Sequence, residues 1–182
     1  MTHFLLLVGS ERDGFNHALA EAASTFLSEH GHTTSRYAYL ARLPHYREEL
    51  DASGVDDTVD DFRRAVYDSD AVLFVTPEYN GGPSSLIKNA LDTASRPRES
   101  ASIAGKPAAV VGATPSPGKT TGSRAALQEG LRRAGAEVLE TSFGVGEAHQ
   151  HLGEEGYAEE VLNGLHELLV ELVGAVESEQ AA

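Results

Sequence analysis

The stretch His3-Phe4-Leu5-Leu6-Leu7-Val8-Gly9-Ser10-Glu11-Arg12-Asp13-Gly14-Phe15-Asn16 decides the fold. Its first six residues are almost all apolar, which suits a strand buried on both faces of a parallel sheet, since a half-exposed strand would alternate. After Gly9 the period changes. Phe15, Leu19, Ala22, Ala23, Phe26 and Leu27 recur at helical spacing, and Gly31 stands where a glycine ends a helix. A buried strand, a polar loop and a helix in succession are the opening of an α/β unit.

Outward from that opening the alternation continues. Residues 34–39 read as a weaker strand, and Val59, Phe62 and Val66 mark a helix after the loop through Pro44. A strong strand spans residues 71–75, and a helical stripe of Leu86, Ile87, Ala90, Leu91 and Ala94 stops before Pro97. Residues 106–113 give a third strong strand, followed by a helix with Leu127, Leu131 and Ala134 that closes at Gly135. Residues 137–141 read as the fifth strand. The last helix carries Val161, Leu162, Leu165, Leu168, Leu169, Leu172, Val173 and Val176 on one stripe. With right-handed crossovers, this predicts a three-layer, doubly wound, five-stranded parallel sheet of the flavodoxin-like type, strand order 2-1-3-4-5. No repeat or linker interrupts residues 1–182, so one domain is expected.

Composition agrees and narrows the function. A chain of 182 residues with 41% apolar content is long enough for one sizeable core, because burial on folding reaches roughly 70% near this length. No apolar run is long enough for a membrane span, and the first residues lack the basic region of a signal peptide, so a cytoplasmic protein is expected. The absence of Cys fits that compartment and removes disulfides, thiolate catalysis and sulfur-bound metal sites. Fourteen Lys and Arg against 28 Asp and Glu leave a formal charge of −14, which repels a phosphate backbone and argues against a nucleic-acid partner.

In a doubly wound sheet the ligand sits beyond the carboxyl ends of the strands, so residues 9–16, 76–83 and 114–122 are the candidate loops. The first joins a buried strand to a helix N-terminus, where unpaired N–H groups and the helix dipole favour an anion. Ser10 and Asn16 can add hydrogen bonds there, and Arg12 a planar fork for phosphate oxygens. An ordinary polar turn accounts equally well for this loop taken alone. It has neither a Gly-Lys-Ser/Thr run nor Gly-x-Gly-x-x-Gly, so a mononucleotide phosphate fits better than a triphosphate or dinucleotide. The second loop, Thr76-Pro77-Glu78-Tyr79-Asn80-Gly81-Gly82-Pro83, reads as a tight surface turn or as an edge that backbone, Tyr79 and Asn80 offer to a flat ligand.

Other features carry less. His149 and His151 form a His-x-His pair without a third ligand at suggestive spacing, so a polar loop is expected and no metal site. Ser10 lacks the Gly-x-Ser-x-Gly setting of a nucleophile. Asp56, Asp57, Asp60 and Asp61 suit a helix start and solubility.

Pro77-Glu78-Tyr79-Asn80-Gly81 followed by Lys88-Asn89-Ala90-Leu91-Asp92 resembles the signature of the NADPH-dependent FMN reductase family, which includes flavin, quinone, chromate and azo reductases. The likeness extends through Gly9-Ser10-x-Arg12 with Phe15-Asn16, Leu43-Pro44, Gly105-Lys106-Pro107, Ser116-Pro117-Gly118, Gly122-Ser123-Arg124-Ala125 and Ala148-His149. The resemblance implies a flavodoxin-like fold, FMN, NADPH or NADH as hydride donor, and a homodimer or homotetramer. It implies that Ser10, Arg12 and Asn16 hold the FMN phosphate, that Thr76, Pro77, Glu78, Tyr79, Asn80 and Gly81 line the isoalloxazine, and that Ser116, Pro117 and Gly118 flank its other edge. It departs from the family in two places. Gly14 and Phe15 stand where a second Ser is common, and Thr93 replaces an aromatic residue after Asp92.

The expected activity is transfer of a hydride from NAD(P)H to N5 of FMN, then of electrons to a flavin, quinone or similar small acceptor. The cofactor carries that chemistry, and the protein orients it. Tyr79 is the candidate for packing near the nicotinamide or acceptor. The rival is a flavodoxin-like electron carrier without NAD(P)H reductase activity, which the acidic charge would suit.

Overall fold

The computed structural model describes residues 1–180. Its sheet is built from β1 (His3–Val8), β2 (Thr33–Arg36), β3 (Ala71–Val75), β4 (Pro107–Ala113), β5 (Glu137–Val138) and β6 (Phe143–Val145). The order is β2-β1-β3-β4-β5, with β6 also on β4, and every pairing is parallel. Helices α1 (Phe15–Glu29) and α5 (Glu159–Gln180) supply one core layer, and α2 (Asp57–Asp68), α3 (Ser85–Ala94) and α4 (Thr121–Arg133) the other.

The two-residue strand period sorts side chains between these layers. Leu6, Val8, Leu73, Val75, Ala109 and Val111 meet Leu19, Ala23, Leu165 and Leu169. Leu5, Leu7, Val72, Phe74, Ala108 and Val110 meet Phe62, Val66, Ile87, Ala90 and Leu127. All five side chains of β3 are fully buried, and each such Leu, Val or Phe contributes about 1.5–3 kcal/mol relative to exposure. The unbroken apolar runs at β1 and β3 are therefore strands covered on both faces. Among the described residues, no helix is long and apolar enough to cross a membrane.

Two strands differ from the sequence reading. The second covers residues 33–36; Tyr37 N–H still donates to Leu6 O at 3.2 Å, and its hydroxyl reaches the Thr58 carbonyl and the Asp61 carboxylate at 3.2 and 3.1 Å. The fifth position holds two short strands in place of one over 137–141. Between them Gln128 Nε2 donates to the carbonyls of Leu139, Glu140 and Thr141 at 2.9, 3.3 and 3.3 Å. A buried side chain thus takes over acceptors that a ladder would otherwise pair.

Candidate active site

The strands all point one way, so the loops after β1, β3 and β4 gather at one edge of the sheet. Helix starts at this edge differ in how their free N–H groups are met. Asp56 accepts from Thr58 and Val59 N–H at 2.9 and 3.2 Å, capping α2. Ser84 accepts from Ile87 N–H at 3.4 Å and caps α3. For α4 the acceptor comes from another loop, with Glu78 Oε2 taking Ser123 N–H at 2.9 Å. Helix α1 has only Gly14 at its N-cap, with no side-chain cap and no acid in its first turn.

The loop leading into α1 is open as well. From Ser10 through His17, no backbone N–H donates to an acceptor among the described residues. Arg12 is exposed and makes no ion pair among those residues. Consecutive free N–H groups, the positive end of a helix dipole and an unpaired guanidinium are the groups that suit an anion.

The other side chains expected to serve that anion are engaged elsewhere. Ser10 Oγ donates to the Arg12 carbonyl at 3.0 Å. Asn16 is buried, and its amide bonds the peptide of Ala113 in both directions at 2.9 Å. Both residues still offer backbone N–H groups, but Arg12 is the side chain free to meet a ligand.

After β3 the chain forms a tight antiparallel hairpin, Glu78–Tyr79 against Gly82–Pro83. Asn80 and Gly81 take φ of 52° and 77° at its tip, the two left-handed positions of a type I′ turn. Thr76 lies at the root, fully buried. Its hydroxyl donates to Pro77 O at 2.9 Å and accepts from Ser84 N–H at 3.3 Å. Pro77 is buried beside it, so exposed surface begins at the Tyr79 ring, 60% accessible, and continues over Asn80 and Gly81. The tip abuts α4 closely, since a Cβ on Gly122 would stand 2.6 Å from Gly81 O and 3.3 Å from Glu78 Oε2. Burial pulls the Arg124 guanidinium below its ordinary pKa, and the nearby Glu78 carboxylate opposes that shift.

Ser116, Pro117 and Gly118 form an exposed lip after β4. Ser116 Oγ pairs with Thr114 Oγ1 at 3.0 Å, and Lys119 and Thr120 beyond it both have positive φ. The lip is braced by a segment that sequence reasoning did not place in the site, residues 145–148. Glu147 N–H donates to Ser116 O at 2.9 Å and Ala148 N–H to Thr114 O at 3.0 Å. A Cβ on Gly146 would lie 2.7 Å from Pro117 O, so the signal for this brace is the glycine that permits the approach. Asn80, Lys119, Thr120 and Glu147 are the described non-glycine residues with positive φ, and all lie in these loops. Such backbone strain clusters at functional sites.

His149 follows the bracing Ala148 directly in the chain, and His151 lies two residues further on. His151 Nδ1 pairs with Glu160 at 2.9 Å and His149 is exposed. Among the described residues no three His, Asp or Glu gather as metal ligands. A cleft of about 570 Å³ between α3 and α4 shares no lining residue with the three loops. Thr93 points into the core, fully buried.

Residues 2–150 match the NADPH-dependent FMN reductase family, a span that includes all of these loops. A quinone reductase of Pseudomonas putida is 35% identical over 127 residues, covering 69% of this chain and 67% of that protein. An NAD(P)H-dependent FMN reductase of Pseudomonas aeruginosa is 44% identical over 77 residues, 42% of this chain and 41% of its own. Among solved structures, the flavoenzyme NAD(P)H:(acceptor) oxidoreductase FerB from Paracoccus denitrificans superposes with a TM-score of 0.87 at 28% identity, over 98% of both chains. The match over most of the sequence agrees with the strand order and with the loops that order brings together, and the chain belongs to the NADPH-dependent FMN reductase family.

Proposed function

We propose that this family member passes electrons from NAD(P)H, through FMN held at the carboxyl edge of the sheet, to a small quinone-like acceptor. The observation that carries the reading is the run of unpaired N–H groups from Ser10 to His17, beside the uncapped start of α1 and the unpaired Arg12. The residues fit FMN. A phosphate suits that receptor, and a flat ring suits the space between two exposed lips, Tyr79 to Gly81 and Ser116 to Gly118. Bound FMN supplies the hydride-accepting ring and the route by which electrons leave.

The chain's own part is to bind and orient. Arg12 and the first turn of α1 hold the phosphate end. The type I′ turn at Asn80 and Gly81 would border the ring on one side, and the lip braced by Glu147 and Ala148 on the other. Tyr79, exposed beside that turn, would pack near the nicotinamide or the acceptor. Glu78 is tied to Ser123 N–H, so no side-chain acid or base is assigned to a proton. A quinone-like acceptor is supported by the quinone reductase named among the relatives. A homodimer or homotetramer, a cytoplasmic location and a single domain over residues 1–182 belong to the same proposal, the first on family resemblance and the second on the cysteine-free sequence.

Initial rates with NADPH and a simple benzoquinone test this reading. Turnover with parallel double-reciprocal lines is expected of one site used by both partners in succession. A flavin-loaded chain that consumes no NADPH with quinone or free FMN would instead be an electron carrier.

A further inference from the structure

Behind the phosphate loop, three side chains form a relay that ends on its backbone. His17 Nε2 lies 2.6 Å from the Ser10 carbonyl oxygen. Its Nδ1 lies 3.2 Å from an Arg36 amino nitrogen. The other amino nitrogen of Arg36 is 3.3 Å from Glu21 Oε2. These contacts line or border a cavity of about 220 Å³ that Ser10 shares with Tyr37, Leu40 and Leu86.

The relay fixes the imidazole. A guanidinium only donates, so His17 Nδ1 accepts from Arg36 and Nε2 carries the hydrogen that Ser10 O receives. The competing partner is Asp13, 3.6 Å from Nδ1 and fully exposed, and so solvated a carboxylate contributes little.

That single bond has a consequence on the far side of the loop. The peptide joining Ser10 to Glu11 is trans, so its N–H and C=O point in opposite directions. With the carbonyl drawn to His17, the N–H of Glu11 faces the other way. The bond from Ser10 Oγ to the Arg12 carbonyl likewise turns the N–H of Asp13 away from Ser10 Oγ. Neither N–H has an acceptor among the described residues. A flipped Ser10 peptide would set an oxygen against a phosphate dianion where a donor now stands.

We propose that His17, oriented by Arg36, is a positioning residue that holds the Ser10 peptide with its N–H toward the FMN phosphate. The inference rests on the reading of this loop as the phosphate site. Peptide orientation matters more here because the Ser10 hydroxyl and the Asn16 amide are engaged within the protein, which leaves phosphate recognition to Arg12 and the backbone.

The test is titration of the apo chain with FMN and with riboflavin, which lacks the phosphate. The wild type should bind FMN at least roughly tenfold more tightly. His17→Phe should weaken FMN about tenfold and leave riboflavin unchanged, and Arg36→Met should weaken FMN by a smaller factor. His17→Gln, which keeps a donor near the Nε2 position, should restore most of the preference. A phosphate preference that survives His17→Phe overturns the proposal, as does equal loss of both ligands or failure of Gln to restore FMN. A wild type that binds riboflavin as tightly as FMN defeats the phosphate-site reading itself, and the two failures are thereby told apart.

Discussion

Asn16 and Ala113 are 97 positions apart and closed into one ring of hydrogen bonds, the amide nitrogen donating to the carbonyl and the amide oxygen accepting from the N–H, both at 2.9 Å. This pair ties the first turn of α1, at the proposed phosphate end, to the last residue of β4, from which the ring-flanking lip departs. The spacing between the two halves of the site is thus set by a side chain that need not touch a ligand.

Asn16→Asp tests that tie. The shape is kept, but the donor to Ala113 O is lost and a buried charge faces a carbonyl, a change that should cost about 3 kcal/mol. For a chain of this size that is a fall in Tm of roughly 6–12 °C. Scanning calorimetry of the apo chain checks it, and a Tm within about 2 °C of wild type would mean that the amide pair holds nothing in place.

Arg12 is the arginine of the loop, and it makes no ion pair among the described residues. Arg12→Ala should weaken FMN tenfold or more, roughly the loss of one charge-assisted hydrogen bond, while riboflavin is unaffected. Ser10→Ala should cost less, because its hydroxyl already serves the Arg12 carbonyl. Fluorescence titration of the two variants gives the order directly.

Gly122→Ala acts on the other end of the site. Its Cβ would sit 2.6 Å from Gly81 O, so the Asn80–Gly81 turn must shift away from α4. FMN and riboflavin should then weaken together, by about tenfold. The contrast with Arg12→Ala, measured with the same two ligands, separates ring contacts from phosphate contacts.

In the imidazole range, His166 contributes to the pH dependence of stability. His166 stacks on Phe26 at 4.2 Å, and burial lowers its pKa, with His30 adding to the shift and Glu29 opposing it. The unfolded state therefore binds more protons than the folded state as pH falls through the ordinary imidazole range, and stability declines in that direction. His166→Phe keeps a stacked ring without the titration. Its Tm should fall less than the wild type's between about pH 8 and pH 5, and parallel declines would assign the loss to other groups.

The sequence carries the layers of this fold where burial alone decides them. β1 and β3 are apolar throughout because helices cover both faces, and residue pattern is enough to find them. The fifth strand is interrupted by Gln128, whose amide reaches three carbonyls from a different helix, and no local pattern announces such a long-range bond. The site divides in the same way. A polar loop between a buried strand and a helix suits an anion receptor and an ordinary turn equally, whereas Asn-Gly marks a tight turn. That Ser10 and Asn16 give their side chains to Arg12 and Ala113 depends on contacts across the fold. So does the brace from Glu147 and Ala148, for which the sequence offers a glycine at 146 and the Ala148-His149 pair without a role.

Electron transfer from NAD(P)H through FMN to a quinone should be a property of this chain on its own. Anaerobic mixing of the FMN-loaded chain with one equivalent of NADPH, followed at the flavin's visible absorption band, tests it most directly. Rapid bleaching of the band is expected, with its full return on adding one equivalent of benzoquinone. A band that stays unchanged after NADPH, with FMN demonstrably bound, would contradict it.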